Sequence, residues 1–201
     1  AKLGGARGGY LFNSTIAGTE EADAILIVGA NPRWEAPLVN ARIRKRWRQG
    51  GLKVGVIGAQ RDLTYPVTHL GAGPETLCQI EEGTHDFSHV LEGSMRPMLI
   101  LGPGAVARAD GGAILAAARA VAEKYGMVRK GWNGFNILHH AASRVGGLDL
   151  GFVPGAAGQD VAGILENAES GAIRFVWLLG ADEIDMAPLA DAFTVYQGHH
   201  G

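Results

Sequence analysis

The sequence predicts an α/β fold built on a doubly wound, mainly parallel sheet, followed by a partial second lobe. Short apolar runs end at a glycine four times along the chain, which is typical of strands buried on both faces of a parallel sheet. Stretches with helical periodicity separate these runs, as βαβ units require. The 31 glycines among 201 residues show no three-residue period, so we expect many of them at turns after strands and helices.

The first strand is predicted over 24–29, where the run AILIVG is apolar until its glycine. Three later runs repeat this pattern, and a shorter strand is predicted near the end of the chain. These four candidates are 52–58, 97–102, 173–180 and 192–198.

A helix is predicted over 36–49, because Val39, Ile43 and Trp47 recur every four residues and Gly50-Gly51 follows as a stop. The other predicted helices are 74–82, 86–93, 111–125, 134–146 and 159–169. Right-handed crossovers between such strands and helices make a Rossmann-like sheet the default architecture.

Four segments are expected along the chain. Residues 1–21 are predicted to be an N-terminal arm, because they are rich in Gly, Ser, Thr and Asn, and 22–146 to be the Rossmann-like domain. Residues 147–172 are predicted to be a linker formed by a Gly-rich loop and a helix. Residues 173–201 are expected to form strand, helix and strand, which either continue the first sheet or begin a second lobe.

Composition excludes several classes of function. The formal net charge of −2 implies neither nucleic acid nor an anionic membrane surface as a partner. The lone Cys78 cannot form an internal disulfide or a four-cysteine iron–sulfur or zinc site. Apolar runs such as 97–107 are too short to cross a bilayer, and no signal-peptide core opens the chain, so we expect a soluble intracellular protein. The chain lacks an initial Met, which favours a piece of a longer polypeptide.

Two similar turns follow predicted strands, Gly29-Ala30-Asn31-Pro32 and Gly180-Ala181-Asp182-Glu183. Each glycine allows a sharp turn, and each short polar side chain can bond nearby backbone or a ligand. Carboxyl ends of parallel strands are where open α/β sheets bind ligands. A plain turn without a ligand remains the alternative at both places.

Phosphate-binding fingerprints are missing from the sequence, since neither GxGxxG nor GxxxxGK[ST] occurs; Gly102-Pro103-Gly104-Ala105 is only an imitation. No metal site is predicted, because the histidine spacings match no chelating pattern. No catalytic residue is predicted either, because no nucleophile lies in a recognisable constellation. Cys78 is expected to be a buried apolar residue of its helix.

The helix over 36–49 is strongly basic and lies beside two tryptophans. A solvated helix face explains the charges, and Trp47 fits the core-facing stripe. The other interpretation is a docking surface for an acidic partner, since Arg and Trp are favoured in binding hot spots. Its candidate residues are Trp34, Arg44, Arg46, Trp47 and Arg48.

Residues 10–58 resemble the large iron–sulfur subunit of respiratory complex I, also called the G subunit of NADH-quinone oxidoreductase or the 75 kDa subunit, above all in ANPRWEAPLVNARIRKRW. The resemblance continues through DLTYPVTHLG, DGGAILAAA, NILHHAASRVGGLDLG, FVWLLGAD and YQGHHG, and so covers nearly the whole chain. The GANP-type strand end alone is shared with the wider molybdopterin oxidoreductase superfamily.

The resemblance implies that the chain is a slice of a molybdopterin oxidoreductase-like part that lacks the molybdenum cofactor. The [2Fe–2S] and [4Fe–4S] clusters of the parent subunit would then lie N-terminal to residue 1, and this slice would hold no cofactor. By the same resemblance, Gly29, Asn31 and Pro32, with Gly180 and Asp182, mark a vestigial cofactor site, and 151–160 lies near the cofactor's path. Arg33, Trp34 and Glu35 are expected to fill the vacated space.

These expectations lead to a main hypothesis, a non-catalytic structural and assembly domain of an enzyme that transfers electrons from NADH to quinone. Its partners would be other peripheral-arm subunits and the cluster domains of the same subunit, without nucleic acid or membrane insertion. It would lie on the cytoplasmic side of the bacterial inner membrane or in the mitochondrial matrix. The alternative is a domain that still binds a nucleotide or molybdopterin guanine dinucleotide at its strand ends. A free-standing dinucleotide-dependent enzyme ranks last, because no fingerprint supports it.

Overall fold

Seven strands lie in the first part of the chain in a computed structural model, which describes residues 5–141, 143–156 and 158–199. They are β1 (Ala24–Val28), β2 (Lys53–Ile57), β3 (Thr68–Gly71), β4 (Pro97–Leu101), β5 (Val128–Arg129), β6 (Trp132–Asn133) and β7 (Phe135–Ile137). Five of them form one parallel sheet in the order β3-β2-β1-β4-β7, while β5 and β6 pair as an antiparallel hairpin. The chain divides into two compact units, Ala1–Asp149 and Leu150–Gly201, and this sheet belongs to the first.

The two central strands of the sheet are apolar throughout because both of their faces are covered. Every residue of β1 and β4 is buried, and the strands pair in register from Ala24 opposite Pro97 to Val28 opposite Leu101. The strand order reverses between β1 and β4, which makes this the topological switch point of a doubly wound sheet. The predicted Rossmann-like α/β fold is therefore confirmed.

Eight helices accompany this sheet within the described residues of the first unit. They are α1 (Thr15–Gly18), α2 (Pro32–Glu35), α3 (Pro37–Arg48), α4 (Pro74–Glu82), α5 (Phe87–Glu92), α6 (Pro103–Val106), α7 (Gly111–Lys124) and α8 (Arg144–Asp149). Leu26 and Val28 of β1 face the core formed with α4, α5 and α7. Ile25 and Ile27 face the opposite core, which includes Ile43 of α3.

The predicted helix over 134–146 is wrong. Residues 135–137 form β7, which pairs with β4 from Leu99 opposite Phe135, and α8 begins only at Arg144. The decisive interaction is not local: Asn136 is fully buried and its Oδ1 accepts hydrogen bonds from the backbone N–H and hydroxyl of Ser14. A distant segment therefore stabilises a strand where the local pattern is helical.

The predicted N-terminal arm packs on the edge of the sheet. Among its described residues, Arg7–Gly9 and Thr19–Glu21 form 3₁₀ turns on either side of α1; residues 1–4 lie outside the described part. Phe12 forms an antiparallel bridge with Asn136. The guanidinium of Arg7 and the hydroxyl of Tyr10 donate to the Asp149 carboxylate at 2.8–2.9 Å, and they lower the pKa of that group.

The second unit contains α9 (Val161–Glu169), β8 (Phe175–Leu179) and β9 (Phe193–Gln197). The two strands pair in parallel as a sheet of their own. Its core consists of Ala168, Val176, Leu178 and Leu189. Between the strands, the expected helix is only a 3₁₀ turn, Ala187–Leu189.

No helix within the described ranges is both long enough and apolar enough to cross a membrane.

Candidate functional site

A half-open cavity of about 350 Å³ lies at the carboxyl ends of β1, β2 and β4. Loops that follow these strands form its floor, as expected at the switch point of a doubly wound sheet. Its floor and walls are Val28–Asn31, Ile57–Ala59, Ala72–Pro74, Leu77, Gly104, Ala105 and Ile114, and its charged members are Glu35, Arg61 and Arg108. The predicted residues Gly29 and Asn31 therefore line one cavity.

Gly29 is required by both conformation and space. Its φ of +57° lies in the left-handed region, and its N–H donates to the carbonyl of Ile57 at 2.9 Å. A Cβ at this position would lie 2.6 Å from both the backbone nitrogen and the Cβ of Ala105. The end of β1 and the first turn of α6 are thus packed directly against each other.

The Gly102-Pro103-Gly104-Ala105 segment makes the same contact from the other side. A Cβ on Gly102 would lie 2.4 Å from the carbonyl oxygen of Gly29 and from the Cβ of Ala30, and one on Gly104 would lie 2.8 Å from that oxygen. These glycines accommodate neighbouring protein backbone, so the segment that imitates a phosphate loop is used for internal packing.

Asn31 presents an unpaired acceptor. Its backbone N–H donates to the Glu35 carboxylate at 2.9 Å, and its carbonyl accepts from the N–H groups of Trp34 and Glu35. Its side-chain Oδ1 is buried and has no hydrogen-bond partner within the described residues. Buried polar atoms are nearly always hydrogen-bonded, so a donor is missing at this point of the cavity wall. Pro32 is buried and begins α2 as its first residue.

The expectation that Arg33, Trp34 and Glu35 fill this space is wrong for the first two residues. Arg33 reaches away to form an ion pair with Asp62 at 2.7 Å, and Trp34 is 79% exposed. Of the three, Glu35 alone lines the cavity, because its carboxylate folds back onto the N–H of Asn31. The one-turn helix α2 sets these directions, since it points successive side chains around its axis.

Arg61 and Arg108, which the sequence analysis missed, add positive charge to the cavity lining. Arg108 makes a two-point ion pair with Asp110 at 2.7 and 2.8 Å, an interaction that raises the pKa of Arg108 and lowers that of Asp110. The available signal was their position, because each arginine follows a strand-end glycine by a few residues.

The second predicted turn begins with the same glycine geometry as the first but has different surroundings. Gly180 has a φ of +58°, and its N–H donates to Gln197, the last residue of the neighbouring strand, at 2.8 Å. No atom of the described residues lies within 4 Å of a Cβ built on it, and Asp182 is exposed. Both residues belong to the second unit, and their sharing a site with Asn31 stays a prediction.

The model of the molybdopterin oxidoreductase family matches residues 1–201. This chain belongs to the molybdopterin oxidoreductase family. It is 45% identical over 195 residues to the G subunit of NADH-quinone oxidoreductase from Rickettsia bellii, a match that covers 97% of this chain and 27% of the relative. It is 44% identical over 196 residues to the mitochondrial NADH dehydrogenase [ubiquinone] iron-sulfur protein 1 of Solanum tuberosum, covering 97% and 25%. The chain thus spans about a quarter of the length of these relatives, and the resemblance to the large iron–sulfur subunit is confirmed.

The family name implies a molybdopterin cofactor, and the cavity of the first unit is a poor fit for the whole of one. Its 350 Å³ lies near the lower end of the roughly 300–1,000 Å³ of ligand pockets, whereas a pterin joined to a nucleotide is larger than a single nucleotide. Ala105 lies directly against Gly29, so the space over this strand-end glycine holds protein and is not open for the close approach of a pyrophosphate. No group of three His, Cys, Asp or Glu side chains that could hold a metal occurs among the described residues of this family member.

Of the five residues predicted to contact a partner, three are exposed. Arg44 and Arg48 project from α3, as Trp34 does from α2. Arg46 instead donates to the carbonyls of Ala22 and Gly50, at 2.9 and 2.7 Å. Trp47 packs against the core beneath α3. The last two therefore stabilise the domain itself.

Leu38, which the sequence analysis did not single out, is 68% exposed in the first turn of α3. Trp34, four residues earlier, is exposed as well. Lys45 also lies on this helix, but it pairs with Glu20, as Arg42 does, and both lower the pKa of that carboxylate. We name Trp34, Leu38, Arg44 and Arg48 the α3 surface.

Cys78 is exposed, so the prediction that it is buried is wrong. Thr76, Leu77 and Ile80 form the buried face of α4 and leave Cys78 on its outer side.

Proposed function

We propose that this chain is a structural domain of a NADH-quinone oxidoreductase subunit, which binds no cofactor of its own and positions neighbouring parts of the enzyme. The enzyme as a whole would transfer electrons from NADH to quinone, as the names of the relatives state for those proteins. The observation that carries the proposal is the packing of Ala105 onto Gly29, because protein fills the space directly over this glycine and leaves only a cavity of about 350 Å³ at the switch point where such folds bind ligands.

Electron transfer would take place outside these residues. The plant relative is named an iron–sulfur protein, and each iron–sulfur cluster requires several cysteine ligands. Cys78 is the only cysteine here, so we assign the [2Fe–2S] and [4Fe–4S] clusters to other parts of the longer polypeptide. We further propose that the subunit lies on the cytoplasmic side of the bacterial inner membrane or in the mitochondrial matrix.

The α3 surface would dock against an acidic patch on the cluster-bearing domains or on another peripheral-arm subunit. It combines an exposed tryptophan and leucine with two arginines that have no ion-pair partner among the described residues. Exposed aromatic and arginine side chains are the types that contribute most to binding hot spots. The chemistry of the surface supports a complementary acidic partner.

Charge reversal in the full enzyme tests this docking. We expect Arg44→Glu combined with Arg48→Glu to reduce assembly of the subunit and NADH:quinone activity at least fivefold, while the isolated chain keeps its thermal stability. Arg119→Glu is a control for charge reversal elsewhere, because Arg119 is also exposed, on α7. Normal assembly of the double variant would contradict the assignment of this surface.

A retained nucleotide site is the second candidate, and one observation favours it. Asn31 lines the cavity, and its buried Oδ1 has no hydrogen-bond partner among the described residues. A ligand N–H that reaches this atom would supply the missing donor, and Arg61 and Arg108 could face a phosphate. A single nucleotide rather than a pterin dinucleotide suits the volume of the cavity.

Thermal unfolding with guanine nucleotides and with NADH separates the two candidates, since a ligand that binds the folded chain raises its Tm. The structural role predicts no shift with either ligand at millimolar concentration. A rise of several degrees with GMP or GDP that Asn31→Ala abolishes would establish the nucleotide site instead. Trp34→Ala serves as control, because Trp34 is a neighbour in sequence but does not line the cavity.

A further inference from the structure

The second unit repeats the arrangement found at the centre of the first. β1 and β8 are each five residues long, and each pairs in register with a parallel strand that follows it in the chain, β2 or β9. Each is followed by a glycine, at φ +57° in one case and +58° in the other. The N–H of each glycine bonds to the carbonyl of the last residue of that neighbouring strand, at 2.9 and 2.8 Å. β8 therefore has the local structure of a central strand.

The two strands differ at their second edge. β1 is paired on both sides, by β2 and β4, whereas β8 pairs only with β9 in the described part of the chain. Arg174 and Gly180 make their backbone bonds toward β9. Successive residues of a strand direct their backbone N–H groups to opposite edges. The N–H groups of Phe175, Trp177 and Leu179 therefore point toward the edge away from β9, where no described strand pairs with them.

One face of this small sheet is also uncovered by the residues described. Val176 and Leu178 point into the core of the second unit, but Trp177 is 60% and Leu179 74% exposed on the opposite face. Phe175 and Phe193 are exposed beside them with their rings stacked, 6.0 Å between centroids. Parallel sheets are normally covered on both faces, and an exposed apolar edge strand is a site for aggregation.

We infer that a further segment of the same polypeptide completes this sheet, with a parallel strand on the open edge of β8 and a helix over Phe175, Trp177, Leu179 and Phe193. The relatives are nearly four times as long as the matched region, so additional chain is present in them to do this. The first unit supplies the template, since β4 occupies the corresponding edge of β1 and both faces of β1 are covered. Phe175, Trp177, Leu179 and Phe193 are large apolar side chains on this exposed face, which suits an intramolecular contact.

Amide hydrogen exchange at single-residue resolution tests the inference on the full-length polypeptide and on the 201-residue chain. In the full-length polypeptide we expect the amides of Trp177 and Leu179 to exchange at least a hundredfold more slowly than in the shorter chain. The amides of Val176 and Leu178 face β9 in both forms and serve as internal controls.

Three results would overturn the inference. The amides of Trp177 and Leu179 could exchange equally fast in both forms. They could become protected only after another subunit is added to the full-length polypeptide, which would identify a partner protein as the cover. They could be protected in the 201-residue chain in a dimer detected by light scattering, which would identify a second copy.

A side-chain substitution gives an independent readout. Trp177→Arg should leave the Tm of the 201-residue chain within a degree or two, because the side chain is mostly exposed there. The same substitution in the full-length polypeptide should lower the Tm of this region by at least 5 °C, and Glu166→Arg on α9 should not. Equal tolerance of Trp177→Arg in both forms would contradict coverage of the face.

Discussion

Replacing Gly29 by alanine should destabilise the first unit far more than replacing Gly50, although both glycines have left-handed backbones, at φ +57° and +87°. A Cβ on Gly50 meets no atom of the described residues within 4 Å. Gly50→Ala therefore carries only the conformational cost of about 1–2 kcal/mol, reduced by about 0.4–1 kcal/mol because alanine restricts the unfolded chain. We expect a net loss of about 1 kcal/mol.

Gly29→Ala has the same conformational cost and a steric one. Its Cβ would lie 2.6 Å from the backbone nitrogen of Ala105, so α6 has to shift rather than a flexible side chain. Overpacking of this kind costs about 1–3 kcal/mol. The variant should therefore lose about 3 kcal/mol in total, roughly 2 kcal/mol more than Gly50→Ala.

Urea unfolding followed by tryptophan fluorescence measures this difference. Trp177→Phe is used as the background, so that the remaining three tryptophans, Trp34, Trp47 and Trp132, all report on the first unit. Adding Ala105→Gly should restore less than half of the loss, since the backbone nitrogen stays in place. Equal losses in Gly29→Ala and Gly50→Ala would refute the argument that the backbone of α6 packs directly onto Gly29.

Two further predictions concern the first unit. Tyr65→Phe should lower the free energy of unfolding by about 1–2 kcal/mol in the same urea assay. The buried Tyr65 hydroxyl donates to Asn40 Oδ1 at 2.8 Å, and its loss leaves that acceptor unpaired. Burial raises the pKa of Tyr65, so the hydroxyl stays a donor at neutral pH. Hydrogen bonds from Arg7 and Tyr10 lower the pKa of Asp149 in the folded chain. The contribution of this carboxylate to the free energy of unfolding is therefore present above its unfolded-state pKa of about 4, and it is lost as the pH falls through the lower folded-state pKa. The amide of Ile137, which donates to Leu11, should then exchange faster, relative to the intrinsic rate, at pH 3 than at pH 6, and Asp149→Asn should remove most of this pH dependence.

In the first sheet, strands buried on both faces could be predicted from the sequence, while the two edge strands could not. β1 and β4 are continuous apolar runs because every side chain meets a core. β3 lies at the edge of the sheet and is half exposed, so its residues carry no apolar run. β7 is held by a hydrogen bond from Ser14, and α8 is held by an ion pair from Arg7. Both partners lie far away in sequence, so no local pattern contains that information.

Of the candidate site, only the turn at the end of β1 could be predicted from the sequence. Gly29 and Asn31 follow a strand whose end is visible in the sequence, so their position was predictable. The cavity contributions of Arg61 and Arg108 depend on how three separate loops meet. The outward direction of Trp34 was missed because it is set by the short helix α2 and not by the composition of the turn.

The contact between the N-terminal segment and β7 constrains the order in which the first unit can fold during synthesis. Asn13 donates to the carbonyl of Phe135, 122 residues later in the chain, at 2.6 Å. Asn13 leaves the ribosome well before its partner strand β7, which is among the last parts of the first unit to be made. Such non-local contacts slow folding because the intervening chain has to be ordered first. Residues 12–14 must therefore wait for their β7 contacts until nearly the whole unit has been translated.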